Sequence, residues 1–332
     1  MVPKRFVRPM VLAASLLMAG IAPVGELLAQ TPAAPGATAA GGRGRGGPQQ
    51  GPGFGGRGGG PIVIGEPAPV PPEVAIPRPT PDELATVNAA VQTFIDTNQS
   101  AAAPLLKKFE SLLLLQPPRL NVAATFTQTF QRRGPRHEEF VERARQGNID
   151  LLLHGDSITD WWVQNDENRA MFEKYFGGYR TANFAIAGDT TQGVLWGLRN
   201  GEGQGFQPKA VMLMIGTNNS GGATGPEIAE GVGAVVLELR RNFPDAKILL
   251  LAIFPRSVPG DPVRDKLAEA NRLIARLDDR EHVFFMDIGE RFLDETGRFL
   301  PDAFRPDNLH PAARGYDIWG AAVSPILSEW LE

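Results

Sequence analysis

Ser157, Asp307 and His310 are the side chains in this sequence whose types and spacing would do the most chemistry if they met. Ser157 closes "LLLHGDS", where an apolar run breaks at Gly155 into small polar residues. Asp307 and His310 stand three apart in "RPDNLHP", so one turn can set the carboxylate against one ring nitrogen and leave the other free. A hydroxyl, an imidazole and an orienting carboxylate are the parts of nucleophilic acyl transfer. The fourth need is a set of oxyanion donors: the backbone N–H groups of Ser157 and Gly188, with the Asn218 amide from "MIGTNNSGG". Each residue also has an ordinary use alone. Ser157 and Thr190 are good helix caps, Asn218 a turn former, Asp307 a cap or surface charge, and one of four histidines is commonly structural. No G-x-S-x-G sequence surrounds the serine, which counts against an α/β-hydrolase nucleophile elbow.

For these groups to meet, the elements carrying them must end at one edge. From Arg136 onward short apolar runs alternate with helical segments. The runs are 149–153, 181–186, 210–215, 248–254 and 283–286, and the helices 136–146, 168–176, 226–242, 263–279 and 311–330. That alternation predicts an α/β domain with a parallel sheet and its site at the carboxyl ends of the strands. Gly155-Asp156-Ser157, Gly188-Asp189-Thr190 and Gly216 to Asn219 each follow such a run, and Asp307 and His310 precede the last helix.

Four blocks in order, "GDSITD", "AGDTTQGVLWGLRNGE", "IGTNN" and "DNLH", resemble those of the SGNH (GDSL) hydrolases. The long second block is most similar to the catalytic-subunit type of platelet-activating factor acetylhydrolase Ib. The resemblance runs from about Arg136 to the C-terminus. It implies a flavodoxin-like three-layer domain with five parallel strands and no cofactor. It further implies Ser157 as nucleophile, Asp307 and His310 as its partners, and Ser157, Gly188 and Asn218 as the oxyanion hole. Family activities range over esters of lipids and sugars and over thioesters, so the likeness does not name a substrate.

The segments ahead of this domain read differently. Residues 1–29 have a basic start, an apolar Met10 to Ile21 and "ELLAQ", the three parts of an export signal, so the chain is expected to be exported. Residues 30–79 are dominated by Gly, Pro and Ala and are expected to be a disordered linker. A helical extension is expected over 80–130, opened by the capping box of "TPDEL" and continuing in a second helix over 101–115, with the hydrolase domain over 131–332. No stretch after the signal is long enough to span a membrane. A net charge of −4 does not suggest a nucleic-acid partner. The absence of cysteine excludes disulfides, thiolate metal sites and a cysteine nucleophile. A homo-oligomer is left open.

Around the nucleophile, Ile158 and Leu309 are candidates for closing an acyl pocket around a short group such as acetyl, or else ordinary core. Trp161 and Trp162 are a wall for sugar or lipid, with one of them core. His154 reads as buried and structural, and Asp156 and Asp189 as loop braces. The first functional expectation is an exported esterase acting on acetyl esters of carbohydrates, and the second a lipid-ester hydrolase. Two readings from other classes are a metal-dependent phosphoesterase using Asp156, Asp160, Asn218 and His310, and a non-catalytic glycan-binding scaffold. The first is weakened because dinuclear sites want several histidines and only His137, His154 and His282 remain; the expectation is therefore no metal.

Overall fold

Leu151, Leu152 and Leu153 follow one another without polar relief because both faces of their strand are covered. The computed structural model describes residues 61–332, so the expected signal and most of the linker lie outside the described residues. In chain order, α1 (Pro81–Thr97), α2 (Ala103–Lys108) and α3 (Glu110–Leu113) precede α4 (Pro135–Arg145). Then come β1 (Leu151–Gly155), α5 (Ser157–Asp160), α6 (Asp166–Phe176), β2 (Thr181–Asn183), α7 (Thr191–Gly197) and β3 (Ala210–Met214). The chain closes with α8 (Gly225–Asn242), β4 (Lys247–Leu251), α9 (Pro262–Ile274), β5 (Val283–Met286) and α10 (Ala313–Leu331).

The sheet is parallel throughout, in the order β2-β1-β3-β4-β5, which is the flavodoxin-like arrangement the sequence implied. Strand order reverses between β1 and β3, so a crevice opens beyond their carboxyl ends. Alternate strand residues feed two cores. Leu152, Val211, Leu213, Ile248 and Leu250 pack under α4, α7, α8 and α9. Leu151, Leu153, Met212, Met214, Leu249 and Leu251 pack under α6 and α10 with Trp162, Tyr316 and Trp319. Each such side chain contributes about 1.5–3 kcal/mol by leaving water. Among the described residues no helix is long and apolar enough to cross a membrane.

Three expectations for the N-terminal part need correction. The helix expected over 101–115 is broken at Phe109 into α2 and α3, neither of which buries a residue. Short helices without a packed face have little to hold them together. The larger correction concerns residues 61–79, assigned on composition to the linker. Pro67 bridges antiparallel to Thr125, and the Ala68 N–H donates to the Ala124 carbonyl at 2.8 Å. Ala68, Val74, Ala124 and Phe126 belong to the core over α8. Proline and glycine rule out a long helix there but not an extended strap on an apolar surface.

The strap can lie close because α8 carries glycine where it crosses. A Cβ on Gly233 would come within 2.6 Å of Val74, and one on Gly231 within 2.8 Å of the Ala123 carbonyl. Buried Glu230 on α8 then fastens it: Arg78 makes two 2.6 Å bonds to the carboxylate, and Ile76 N–H and the Asn121 amide add bonds at 2.8 and 2.9 Å. The boundary expected at residue 131 is therefore not a physical one. Asn121, Thr125, Thr127 and Thr129 are all buried, and Arg132 is 1% exposed.

Arg132 fixes this segment to the domain by charge. Its Nε donates to Asp189 at 2.9 Å and its Nη1 to Glu202, in a site where all three side chains are inaccessible to water. Removing one member of a buried ion cluster strands the others, at a cost of about 3–5 kcal/mol. Arg132→Ala is expected to lose stability on that scale in urea unfolding. A loss under about 1 kcal/mol would show that Asp189 and Glu202 find other partners or are neutral there.

Candidate active site

Ser157 stands at the first position of α5, immediately beyond β1. Asp156 caps that short helix, accepting the Ile158 N–H at 3.0 Å, which turns the Ser157 side chain toward the crevice. The imidazole of His310 meets it there: Nε2 lies 2.8 Å from the Ser157 hydroxyl, and Nδ1 lies 2.8 Å from Asp307 Oδ2. With Nδ1–H donating to the carboxylate, Nε2 is the acceptor and the hydroxyl donates to it. Asp307 is itself fixed, because its other oxygen accepts the N–H groups of Leu309 and His310 at 2.9 and 3.0 Å. Asn308 between them has φ 52°, a left-handed conformation that asparagine tolerates and that closes the turn.

The other expected oxyanion donors stand just beyond the ends of β2 and β3. Gly188 has φ 79°, which a side chain would strain, and this orients its peptide within the loop after β2. Neither the Ser157 nor the Gly188 N–H has an intramolecular backbone acceptor among the described residues. The Asn218 amide gives one of its two hydrogens to the Asp189 carbonyl at 2.8 Å, leaving the other for a ligand. Asp189 in turn is held by Arg132 and by the Thr129 hydroxyl at 3.2 Å. The network continues through Glu202 to His137 Nδ1 at 2.7 Å. Burial opposes the charge on Glu202, yet Arg132 and His137 outweigh it and hold the carboxyl below its ordinary range.

Electrostatics divide the titratable groups. Burial lowers His310 below its ordinary value of 6.5, against the pull of Asp307, and the charges of Arg305 and Arg256 add to the lowering. Burial pushes the Asp156 carboxyl up to about 7. His154 is fully buried and driven down to about 3, again chiefly by burial, so it is a neutral core residue. Residues that a metal site would gather have other partners. Asp160 pairs with Arg136 at 3.0 Å and accepts the Ala187 N–H, and both nitrogens of His310 are engaged. No group of three or more such ligands occurs among the described residues.

Around the triad the expectations for apolar neighbours divide. Ile158 is 1% exposed and packed in the core beneath α10, where its carbonyl accepts the Tyr316 hydroxyl at 2.9 Å. It does not line a pocket. The reason is helical geometry: one step past Ser157 on α5 turns the side chain from the crevice into the sheet. Leu309 packs against the same cluster but stays partly exposed beside His310. Trp162 is core, whereas Trp161 stacks on the His310 ring at 3.8 Å between centroids. That stack was not foreseen, and the only sequence signal for it is the aromatic four residues after the serine. A cavity of about 320 Å³ adjoins Asn218, lined by Thr190, Gln192 and Asn219 from the domain and by Leu120, Asn121 and Val122 from the N-terminal segment.

The sequence profile of the GDSL-like lipase/acylhydrolase family matches residues 153–318. Platelet-activating factor acetylhydrolase IB subunit alpha2 of Rattus norvegicus is 35% identical over 182 residues, covering 54% of this chain and 76% of that one. Subunit alpha1 of Bos taurus is 31% identical over 181 residues, 54% of this chain and 75% of that one. Among solved structures, a GDSL-like lipase from Bacteroides thetaiotaomicron superposes with a TM-score of 0.47 at 18% identity, covering 58% of this chain and 97% of that one. A carbohydrate acetylesterase from Sinorhizobium meliloti gives 0.42 at 22% identity, with 54% and 98% covered.

The balance at His310 has a measurable consequence. Its imidazole is expected to titrate below 6.5, followed by its NMR ring resonances, because burial outweighs the neighbouring carboxylate. A midpoint above 6.5 would mean that Asp307 dominates.

Proposed function

The chain belongs to the GDSL-like lipase/acylhydrolase family and is an ester-hydrolysing enzyme, and from that premise we propose that it works as an exported serine esterase on short, acetyl-type esters through an acyl-Ser157 intermediate. The observation that carries the reading is the pair of 2.8 Å contacts that join Ser157 to His310 and His310 to Asp307. Ser157 Oγ attacks the ester carbonyl as its proton passes to His310 Nε2, and the oxyanion is received by the Ser157 and Gly188 N–H groups and the Asn218 amide. His310 then gives that proton to the departing alcohol oxygen. In the second half, water loses a proton to His310 and attacks the acyl carbon, and Ser157 recovers the proton as the acid leaves.

Acetyl as the acyl group is supported by the relatives' names, which make them acetylhydrolases. A carbohydrate alcohol is supported by the polar side chains of Gln192, Asn121 and Asn219 around the cavity beside Asn218. A second reading, a lipid ester, is favoured by the exposed apolar side chains of Leu105, Phe109, Leu112 and Leu113 on α2, α3 and the turn between them. Export rests on residues 1–29 alone.

Ser157→Ala is expected to lower kcat on the order of 10⁶-fold with unfolding unchanged. A rate near wild type would remove the serine from the mechanism. Asn218→Ala is expected to cost about 100- to 1000-fold in kcat, and an unaltered rate would mean that its free hydrogen points elsewhere. Because the base works only when neutral, kcat/KM rises with pH through the lowered pKa of His310, with the midpoint below 6.5. Rates on aryl acetate, butyrate and octanoate test the acyl group; preference for octanoate would favour the lipid reading.

A further inference from the structure

Two arginines act on His310 by charge, and among the described residues neither bonds a carboxylate. Arg256 lies on the loop after β4, and that loop is held on three sides. Arg264 donates from Nε to the Arg256 carbonyl at 3.0 Å and from Nη2 to the Ser257 carbonyl at 2.8 Å. The Ser257 N–H donates to the Asn308 carbonyl at 2.7 Å, which joins this loop to the turn carrying Asp307 and His310. Arg256 Nη1 reaches the carbonyl and hydroxyl oxygens of Thr217, the residue before Asn218, at 3.4 Å. Its side chain therefore bridges the oxyanion side and the imidazole side of the crevice.

Arg305 comes from the other direction. Its N–H donates to the His310 carbonyl at 2.8 Å, and its guanidinium lies 4.8 Å from the Trp161 ring that stacks on His310. Among the described residues its one side-chain bond is to the neutral Gln164 amide oxygen, at 3.2 Å. Both arginines are half-buried, and among the described residues neither forms an ion pair. The carboxylates nearby have other bonds: Asp307 orients His310, Asp160 pairs with Arg136, Asp156 caps α5, and Asp261, whose charge Arg256 feels without bonding it, accepts the Ser257 hydroxyl and the Val263 N–H. In a chain where acidic residues outnumber basic ones, two cations at one crevice with no ion-pair partner among the described residues are a recognition feature in search of a directly bound counter-charge.

Resting on the serine-esterase reading above, we propose that Arg256 and Arg305 select esters whose alcohol half carries an oxyanion group, a carboxylate or a phosphate. The alcohol half is the one concerned because His310 must reach the leaving oxygen to protonate it, which puts that half of the substrate on the side where Trp161, Arg305 and Arg256 stand. A guanidinium pairs with either anion through two parallel N–H groups, and partial burial keeps the pair from being screened away.

The test compares 3-acetoxybenzoate with its neutral counterpart 3-acetoxybenzamide in the full chain, in Arg256→Gln, Arg305→Gln and the matching lysine variants. The quantity read is the ratio of kcat/KM for acid over amide within each protein, so differences in leaving-group chemistry and in overall activity cancel. Each glutamine variant is expected to lower the ratio about five- to tenfold, and each lysine variant to restore most of it. Salt raised until the Debye length is about 3 Å should compress the wild-type ratio. Competition by glucuronate and by glycerol 3-phosphate distinguishes a sugar carboxylate from a lipid-type phosphate as the source of the anion, and inhibition by either supports the proposal. A ratio unchanged across all variants overturns it. If Ser157→Ala is then inert toward both esters, the nucleophile stands and only the selection by arginine falls; an active Ser157→Ala sinks the underlying reading instead.

Discussion

Burial raises the Asp189 carboxyl above its ordinary value, so a negative charge can be kept there only with a cation brought to it. The residue follows Gly188 and offers its carbonyl to Asn218, so its position decides where two of the three proposed oxyanion donors point. Its carboxylate is wholly buried, and an uncompensated charge there would cost several kcal/mol. The compensation comes from Arg132, which lies outside the stretch matched by the family profile. Arg132 needs a second anion in turn, and Glu202, beyond α7, supplies it. The loop after β2 is thus clamped between the N-terminal segment and the end of α7, through Arg132 and Thr129 of that segment. Strap, clamp and oxyanion side form one mechanical unit.

The rest of the site follows from where the strands stop. A parallel sheet with its order reversed between β1 and β3 leaves a crevice that no crossover covers, and Ser157, Gly188 and Asn218 come from the ends of β1, β2 and β3. His310 and Asp307 arrive from the turn ahead of α10 and need no strand. That turn is stiffened from within, through N–H groups donated to Asp307, and from without, through Asn308 bound to the loop after β4. An imidazole held by a carboxylate on one edge and by an indole on one face has little freedom left.

Much of this was legible in the residues. Runs such as "LLLHGDS" and "VMLMIGTNN" show a buried strand ending in small polar groups, and the three-residue spacing of Asp307 and His310 gave a pair that one turn could hold. Segments 61–79 were misread for a physical reason. Composition reports that proline and glycine cannot sustain helix or ladder, but it is silent on whether a bare extended strand finds a glycine on a helix to lie against, as Val74 does at Gly233. Ile158 was misjudged because adjacency in sequence to Ser157 was taken as adjacency in space, whereas a helical step carries it into the sheet. Arg132, Arg256 and Arg305 have no local signal, since each acquires its role from a partner distant in the chain, and Trp161 has only its place four residues after the serine.

The charges at the crevice act on both reactants at once. Positive groups beside His310 disfavour its protonated form, so more of the imidazole is free to accept a proton near neutrality; the same groups favour negative charge on anything bound between them. In the attack proposed for Ser157 the carbonyl oxygen becomes an anion while His310 becomes a cation. The second change is opposed by Arg256 and Arg305 and supported by Asp307, and the first is supported by Arg256 next to Thr217. Asp307 is therefore required for more than orientation: without a fixed negative charge at Nδ1, the cationic rim that suits an anionic substrate would raise the cost of forming the imidazolium. The carboxylate and the two guanidinium groups set each other's usefulness, and the turn that holds Asp307 against His310 is what lets a positively charged crevice still host a base.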